Sequence, residues 1–218
     1  MRKLIFLIFL GTAIVQAQTD STFVDEKYLE DQLYFQLSYI SLLNTPPAIS
    51  QSGFSFGLGG GFIKDLPVNS TRNIAFGAGL GYGFYNYYFN VKFDQPDSPE
   101  SDPIVLNNTL RLHMIEIPLE FRYRTSTAVK YKFWRFYPGI KFAYVFVDNL
   151  SFGKGGGENA RDVIKYNDFL YGLTFSVGYN KWNLNAYYGL NELFSNTLSN
   201  DYDFSITDFR MGLIFYVF

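Results

Sequence analysis

The sequence contains no cysteine and a single histidine, His113, among its 218 residues. The first absence excludes a disulfide framework and any thiolate metal site. The second leaves one imidazole for acid–base or ligand chemistry. Charge is also scarce: 17% of residues are charged, and the formal net charge is −2. A chain this poor in basic residues carries no electrostatic footprint for nucleic acid. After the first residues no long apolar run occurs, so nothing there supplies the ~20 apolar residues of a transmembrane helix.

The exception is the opening stretch, MRKLIFLIFLGTAIVQA. A short basic start, an apolar middle and the small-residue site Val15-Gln16-Ala17 read as a cleaved signal peptide over residues 1–17. Its apolar part is too short to span a bilayer. Cleavage after Ala17 makes Gln18 the first mature residue, with no cysteine to carry a lipid. Losing Arg2 and Lys3 leaves 16 basic against 20 acidic residues, a mature charge of −4. The expected route is export.

Aromatic side chains are what the chain has in excess: 20% of it, including 24 Phe and 18 Tyr. A soluble domain seldom carries so many, whereas a membrane barrel uses them on its lipid face and in its interfacial girdles. The stretch IAFGAGLGYGFYNYYF, residues 74–89, shows how they are arranged. Gly77, Gly79, Gly81 and Gly83 alternate with Phe76, Ala78, Leu80, Tyr82 and Phe84. A dinucleotide-binding loop needs G-x-G-x-x-G between a strand and a helix, and no helical pattern follows. A period of two describes one strand with an apolar face and a nearly bare one.

The same alternation recurs in eight segments, about Leu33–Leu42, Gly53–Ile63, residues 74–89, Thr109–Tyr123, Lys132–Val147, Asp168–Asn180, Trp182–Leu193 and the terminal FRMGLIFYVF. Both faces of the last are apolar, which leaves its register open. Long polar or Gly/Pro-rich connections alternate with the compact linkers Lys64–Asn73, Thr125–Tyr131 and Asn180–Lys181. Tyr216 and Phe218 supply the aromatic end of a last amphipathic strand. These features predict an all-β fold: an eight-stranded antiparallel up-and-down transmembrane barrel over residues 33–218. A periplasmic arm over 18–32 precedes it, both termini lie on the periplasmic side, and the location is the outer membrane.

An eight-stranded barrel is just wide enough for side chains to fill its interior. Gly57, Gly59, Gly61, Gly77, Gly79, Gly81 and Gly83 are predicted to clear space in the lumen. Glu116, Glu120, Arg122, Arg135 and Lys141 are predicted to cross that space as a structural polar network of mixed sign. A narrow polar conduit or a partner-docking ring is the functional alternative for that set.

Four further stretches carry a resemblance. MIEIPLEFRYRTS, KFWRFYPGIKFAYVF, GFIKDLP and YGLNELF together resemble the PorT (SprT) family of small outer-membrane barrels, and the likeness runs from about Leu33 to Phe218. Related porin-family barrels share much of the pattern. The resemblance implies a non-enzymatic barrel of the type IX secretion and gliding machinery, with other membrane proteins of that machinery as partners alongside outer-membrane lipid. It implies no catalytic residue, no cofactor and no metal. On the residues alone, a structural or narrow-pore barrel and an outer-membrane hydrolase stay open as alternatives.

The hydrolase reading would rest on His113, yet LRLHMIEIP brings no nucleophile and orienting carboxylate in a triad pattern. The acidic stretch DQPDSPESD lacks the spacing and turn glycine of an EF-hand. GKGGGENARD at 153–162 lacks the Walker signature.

Overall fold

The computed structural model describes residues 31–47, 49–93, 104–125, 133–152, 157–158, 167–179, 182–194 and 206–217. Residues 1–30 and Phe218 lie outside them, and with them the expected signal peptide and most of the expected arm.

Ten strands form one antiparallel sheet: β1 (Asp31–Leu43), β2 (Ile49–Gln51), β3 (Phe56–Pro67), β4 (Ile74–Phe93), β5 (Ile104–Arg124), β6 (Trp134–Phe152), β7 (Gly157–Glu158), β8 (Phe169–Tyr179), β9 (Trp182–Gly189) and β10 (Thr207–Val217). Eight of them close a ring. Each pairs with the next in the series β1, β3, β4, β5, β6, β8, β9, β10, and β10 returns to β1 through Leu33↔Val217 to Leu43↔Thr207. Closure satisfies every interior backbone group and leaves no sheet edge in the bilayer, the condition for spanning it with strands. The short β2 and β7 add to β4 and β6 outside the ring.

The eight expected strands are all present, with shifted ends. β1 begins at Asp31, so Asp31 and Gln32 belong to the barrel and not to the arm. β3 runs on to Pro67, so Lys64–Pro67 is strand and not linker. Gly53, the expected start of the second strand, sits before β3 at φ 68°, a left-handed turn conformation suited to glycine. Asn191, inside the expected segment Trp182–Leu193, lies past the end of β9. Its side chain accepts from the Tyr171 N–H at 2.9 Å and donates to the Phe169 carbonyl at 2.8 Å.

Outward side chains form the lipid face. Leu33, Phe35, Leu37 and Tyr39 on β1 are exposed while Tyr34, Gln36 and Ser38 between them are buried, and β8 alternates in the same way. At ~3.3 Å per residue and a tilt near ~40°, the 11 residues of β8 cover the ~25 Å apolar band of an outer membrane. β4, β5 and β6, with 20, 21 and 19 residues, are much longer. They project past the band at the long-loop end, where their outer face turns polar at Asn90, Thr109, Arg111 and Asn149.

The projection has its own core. Tyr87, Phe89, Leu110, Leu112, Met114, Val145 and Leu150 turn inward and pack with Ile49 of β2, Phe194 and Ile206. Gln51 fastens β2 in place. Its amide donates to the Ile40 carbonyl at 2.6 Å and accepts from the Leu42 N–H at 2.9 Å, replacing a strand neighbour. Gln51→Ala is expected to cost ~1 kcal/mol and to speed hydrogen exchange at the Leu42 amide selectively. Unchanged protection of Leu42 relative to Gln36 would refute the latch.

Candidate functional site

Among the described residues charge gathers in the barrel interior, and it is stratified. Near the short-turn end Asp65 of β3 bridges two cations of β5, Arg122 and Arg124. Arg122 also pairs with Glu120 at 2.8 Å and donates to Gln32 at 3.1 Å, while Arg124 donates to the Tyr137 hydroxyl at 2.9 Å. The Arg122 guanidinium lies 4.8 Å from the Tyr137 ring centre and 5.3 Å from that of Tyr216, so the aromatic rings pack this layer against the charges.

At mid-barrel Glu116 is the hub. It accepts from Lys141 at 3.0 Å and from the Tyr85 hydroxyl at 2.5 Å, and Arg210 of β10 stands 3.7 Å away. Gln36, Asn185 and Ser176 continue the chain across the lumen at 2.9 and 2.7 Å. Above, Asp208 holds Arg210 at 2.6 Å and accepts from Tyr87 at 2.9 Å. The Arg210 guanidinium is sandwiched 3.7 Å from the Tyr85 ring centre and 4.4 Å from that of Tyr187. The apolar core of the projection then closes the long-loop end.

Strand parity explains who is inside. Glu116, Glu120, Arg122, Arg135 and Lys141 are all buried. The structure joins Glu116 to Lys141 and Glu120 to Arg122, and Arg135 packs with its guanidinium 4.5 Å from the Phe133 ring centre. Sequence reasoning missed Asp65, Arg124, Asp208 and Arg210. Arg124 has the parity of Arg122 and was legible on that ground. Asp65 fell in an assumed linker, Asp208 lay just before the expected last strand, and Arg210 sat on that strand, whose register was open.

The glycines make room for side chains that lie flat over them from the same or the adjoining strand. A Cβ on Gly57 or Gly83 would stand 2.5 Å from the ring of Tyr85, and one on Gly77 would stand 2.7 Å from Arg122 Nε. Gly61 and Gly81 face each other across β3 and β4 beside the ring of Tyr34, and Gly79 abuts Ile63 and Pro118. Gly59 alone among the seven has ordinary clearance, 3.7 Å to the nearest atom.

With the wall, layers and lid in place, the interior is filled. A cavity of about 10 Å³ between Tyr34, Gln36, Glu120, Lys141 and Thr174 has the room of roughly one water. Tyr216, one of the two residues expected to mark the terminal strand, points into the lumen and is 9% exposed.

His113 is outside this network. It lies half-buried on the outer face beside a register shift, its Nδ1 2.5 Å from the Tyr82 hydroxyl and its ring 5.1 Å from that of Phe84. No serine, carboxylate and imidazole come together there among the described residues. The acidic stretch 94–102 lies outside the described residues, as does 153–162 except for Gly157 and Glu158.

Comparison with known proteins adds the following. The model of a family described as outer membrane protein beta-barrel domain matches residues 16–215. No curated protein sequence matches at a significant level. A solved structure to which the chain is similar is Ail, the attachment invasion locus protein of Yersinia pestis. The two are 12% identical with a TM-score of 0.33, over 86% of this chain and 97% of that one.

Proposed function

The chain belongs to the outer membrane protein beta-barrel domain family, and from that premise we propose that it is a non-enzymatic barrel that works through protein contacts at its ends and not by conducting solutes. The observation that carries this reading is the filled interior. Paired charges occupy the lumen from the short-turn end through mid-barrel, and Leu112, Met114, Val145 and Leu150 stack across its long-loop end, each fully buried. A hydrated ion would have to break buried ion pairs and then cross an apolar layer, each step costing several kcal/mol. In this reading a partner meets the polar outer face of the β4–β6 projection, at Asn90, Thr109, Arg111 and Asn149.

The PorT-like stretches supply the specific version: an accessory barrel of type IX secretion. Of these, EIPLE places Glu116 and Glu120 in the lumenal network, and PGIK places Lys141 beside Glu116. Their role in this reading is to hold the wall shape that presents the loops.

Two measurements test it. In planar bilayers the purified protein is expected to give no stepwise ion current; a steady current that persists across preparations would overturn the closed-barrel reading. In cells, a clean deletion is expected to retain secretion cargo that re-expression releases again, followed by quantitative mass spectrometry of the medium. An unchanged set of released proteins would remove the secretion role and leave the closed barrel standing.

A further inference from the structure

The lipid face is not uniformly smooth. At the short-turn end three outward aromatics form a row in register, Trp134 of β6, Tyr179 of β8 and Trp182 of β9, and the ring of Phe215 of β10 extends it beside Trp182. The next row toward the membrane centre is Val177, Leu184 and Leu213, each paired directly with its neighbour. Tyr179 and Trp182 are cross-strand partners and would be expected to stack on one another. Instead they part. Tyr179 packs against Trp134 with ring centres 5.3 Å apart, and Trp182 packs edge-on against Phe215 at 5.5 Å.

The parting opens a cleft of about 270 Å³ on the outer wall, floored by Val177, Leu184 and Leu213 and walled by Trp134, Tyr179 and Trp182. Val177 is the smallest outward side chain of β8, where every other outward position is Phe, Tyr or Leu, so the floor dips beneath the parted rings.

We propose that this cleft binds one acyl chain of a phospholipid from the leaflet on the short-turn side, holding that lipid in place against exchange with the bilayer. Three observations select this occupant. The cleft is continuous with the lipid-facing belt, so hydrocarbon already bounds it. Its volume is far below what a transmembrane helix of ~10–12 Å diameter would need, and suits a single flexible chain. Its rim is the aromatic row, the residue type that sits at the headgroup boundary, so a chain lying on Val177 and Leu184 places its ester region beside the indoles. A chain seated there touches side chains on three sides, whereas on the smooth wall it touches one.

The protein reports on this site without labelling, because Trp134 and Trp182 are its only two tryptophans. Full-length mature protein, folded in non-ionic detergent micelles, is titrated with phosphatidylethanolamine brominated on its acyl chains, a collisional quencher of indoles. The expected result is a saturable quenching step complete at one lipid per barrel. Val177→Phe, which fills the floor while keeping an outward aromatic of the kind found elsewhere on β8, is expected to lose that step and leave only the gradual quenching of bulk partitioning. Leu213→Phe fills the same floor from β10 and serves if the first variant does not fold, as judged by the heat-modifiable mobility of the barrel. Quenching that rises without saturation in the parent, or that saturates equally in parent and filled variants, overturns the proposal. So does a sedimentation mass of two chains lost in the filled variants, which would make the occupant a second copy.

Discussion

Asp65→Ala is expected to destabilise the barrel by ~3–5 kcal/mol, the range for removing one partner of a buried charge group. Asp65 is the carboxylate that Arg122 and Arg124 share, and all three side chains are at most 1% exposed. Arg122 keeps Glu120 at 2.8 Å, but Arg124 is left with the Tyr137 hydroxyl and ring. The cost is therefore mainly that of one uncompensated guanidinium away from water. Guanidinium-chloride unfolding in lipid vesicles, followed by tryptophan emission, gives the difference directly.

The second variant that isolates the cause is Asp65→Ala with Arg124→Met. Replacing buried ion pairs by apolar groups of similar volume is often close to neutral, so the double variant is expected to recover at least half of the loss. A double variant no more stable than Asp65→Ala would show that the carboxylate acts through something other than Arg124.

Gly61→Ala is expected to cost about 2–3 kcal/mol, an unusually large effect for one methyl group, while Gly59→Ala is neutral or stabilising by roughly 0.5 kcal/mol. The two glycines are neighbours on one strand and point into the same lumen. At Gly61 the new Cβ would stand 2.5 Å from both the Gly81 Cα and the Leu80 carbonyl oxygen, backbone atoms that move only if β4 moves. At Gly59 the nearest atoms are 3.7 Å away. In the second case the loss of glycine's freedom in the unfolded chain favours the folded state and no clash opposes it. Heat-modifiability and denaturant midpoints of the two variants, taken side by side, separate them. Equal midpoints would mean that β3 and β4 can slide apart freely, against the close packing of a filled barrel.

How much of this was readable beforehand differs from strand to strand. β8 was legible in full: FLYGLTFSVGY alternates cleanly, and its in-and-out pattern is that of the structure. β10 was not, because Gly212, Leu213 and Ile214 offer no polar marker for either face, and only pairing with both β1 and β9 placed Arg210 and Asp208 in the lumen. β3 was cut short at Ile63 since Lys64-Asp65 looks like the start of a polar turn. In fact Lys64 points out and Asp65 is held inside by two arginines.

The extended β4–β6 hairpins were underestimated for a related reason. Their inward face becomes apolar just where a polar lumen was expected, so parity no longer distinguished inside from outside.

The period-two pattern is local, set by the pleat of each strand, and a chain whose aromatics sit at every second position must offer one face to hydrocarbon. Length, alternation and the lack of any other core therefore determined from the sequence alone that this protein is an eight-stranded membrane barrel. Which carboxylate meets which cation, that Arg135 packs on Phe133, that an apolar layer seals one end and that two cross-strand aromatics part over Val177 were decided by the tertiary structure. These contacts join residues as far apart as Gln36 and Asn185. Their distances depend on the stagger with which the ring closes, a property of all eight strands together that no single strand encodes.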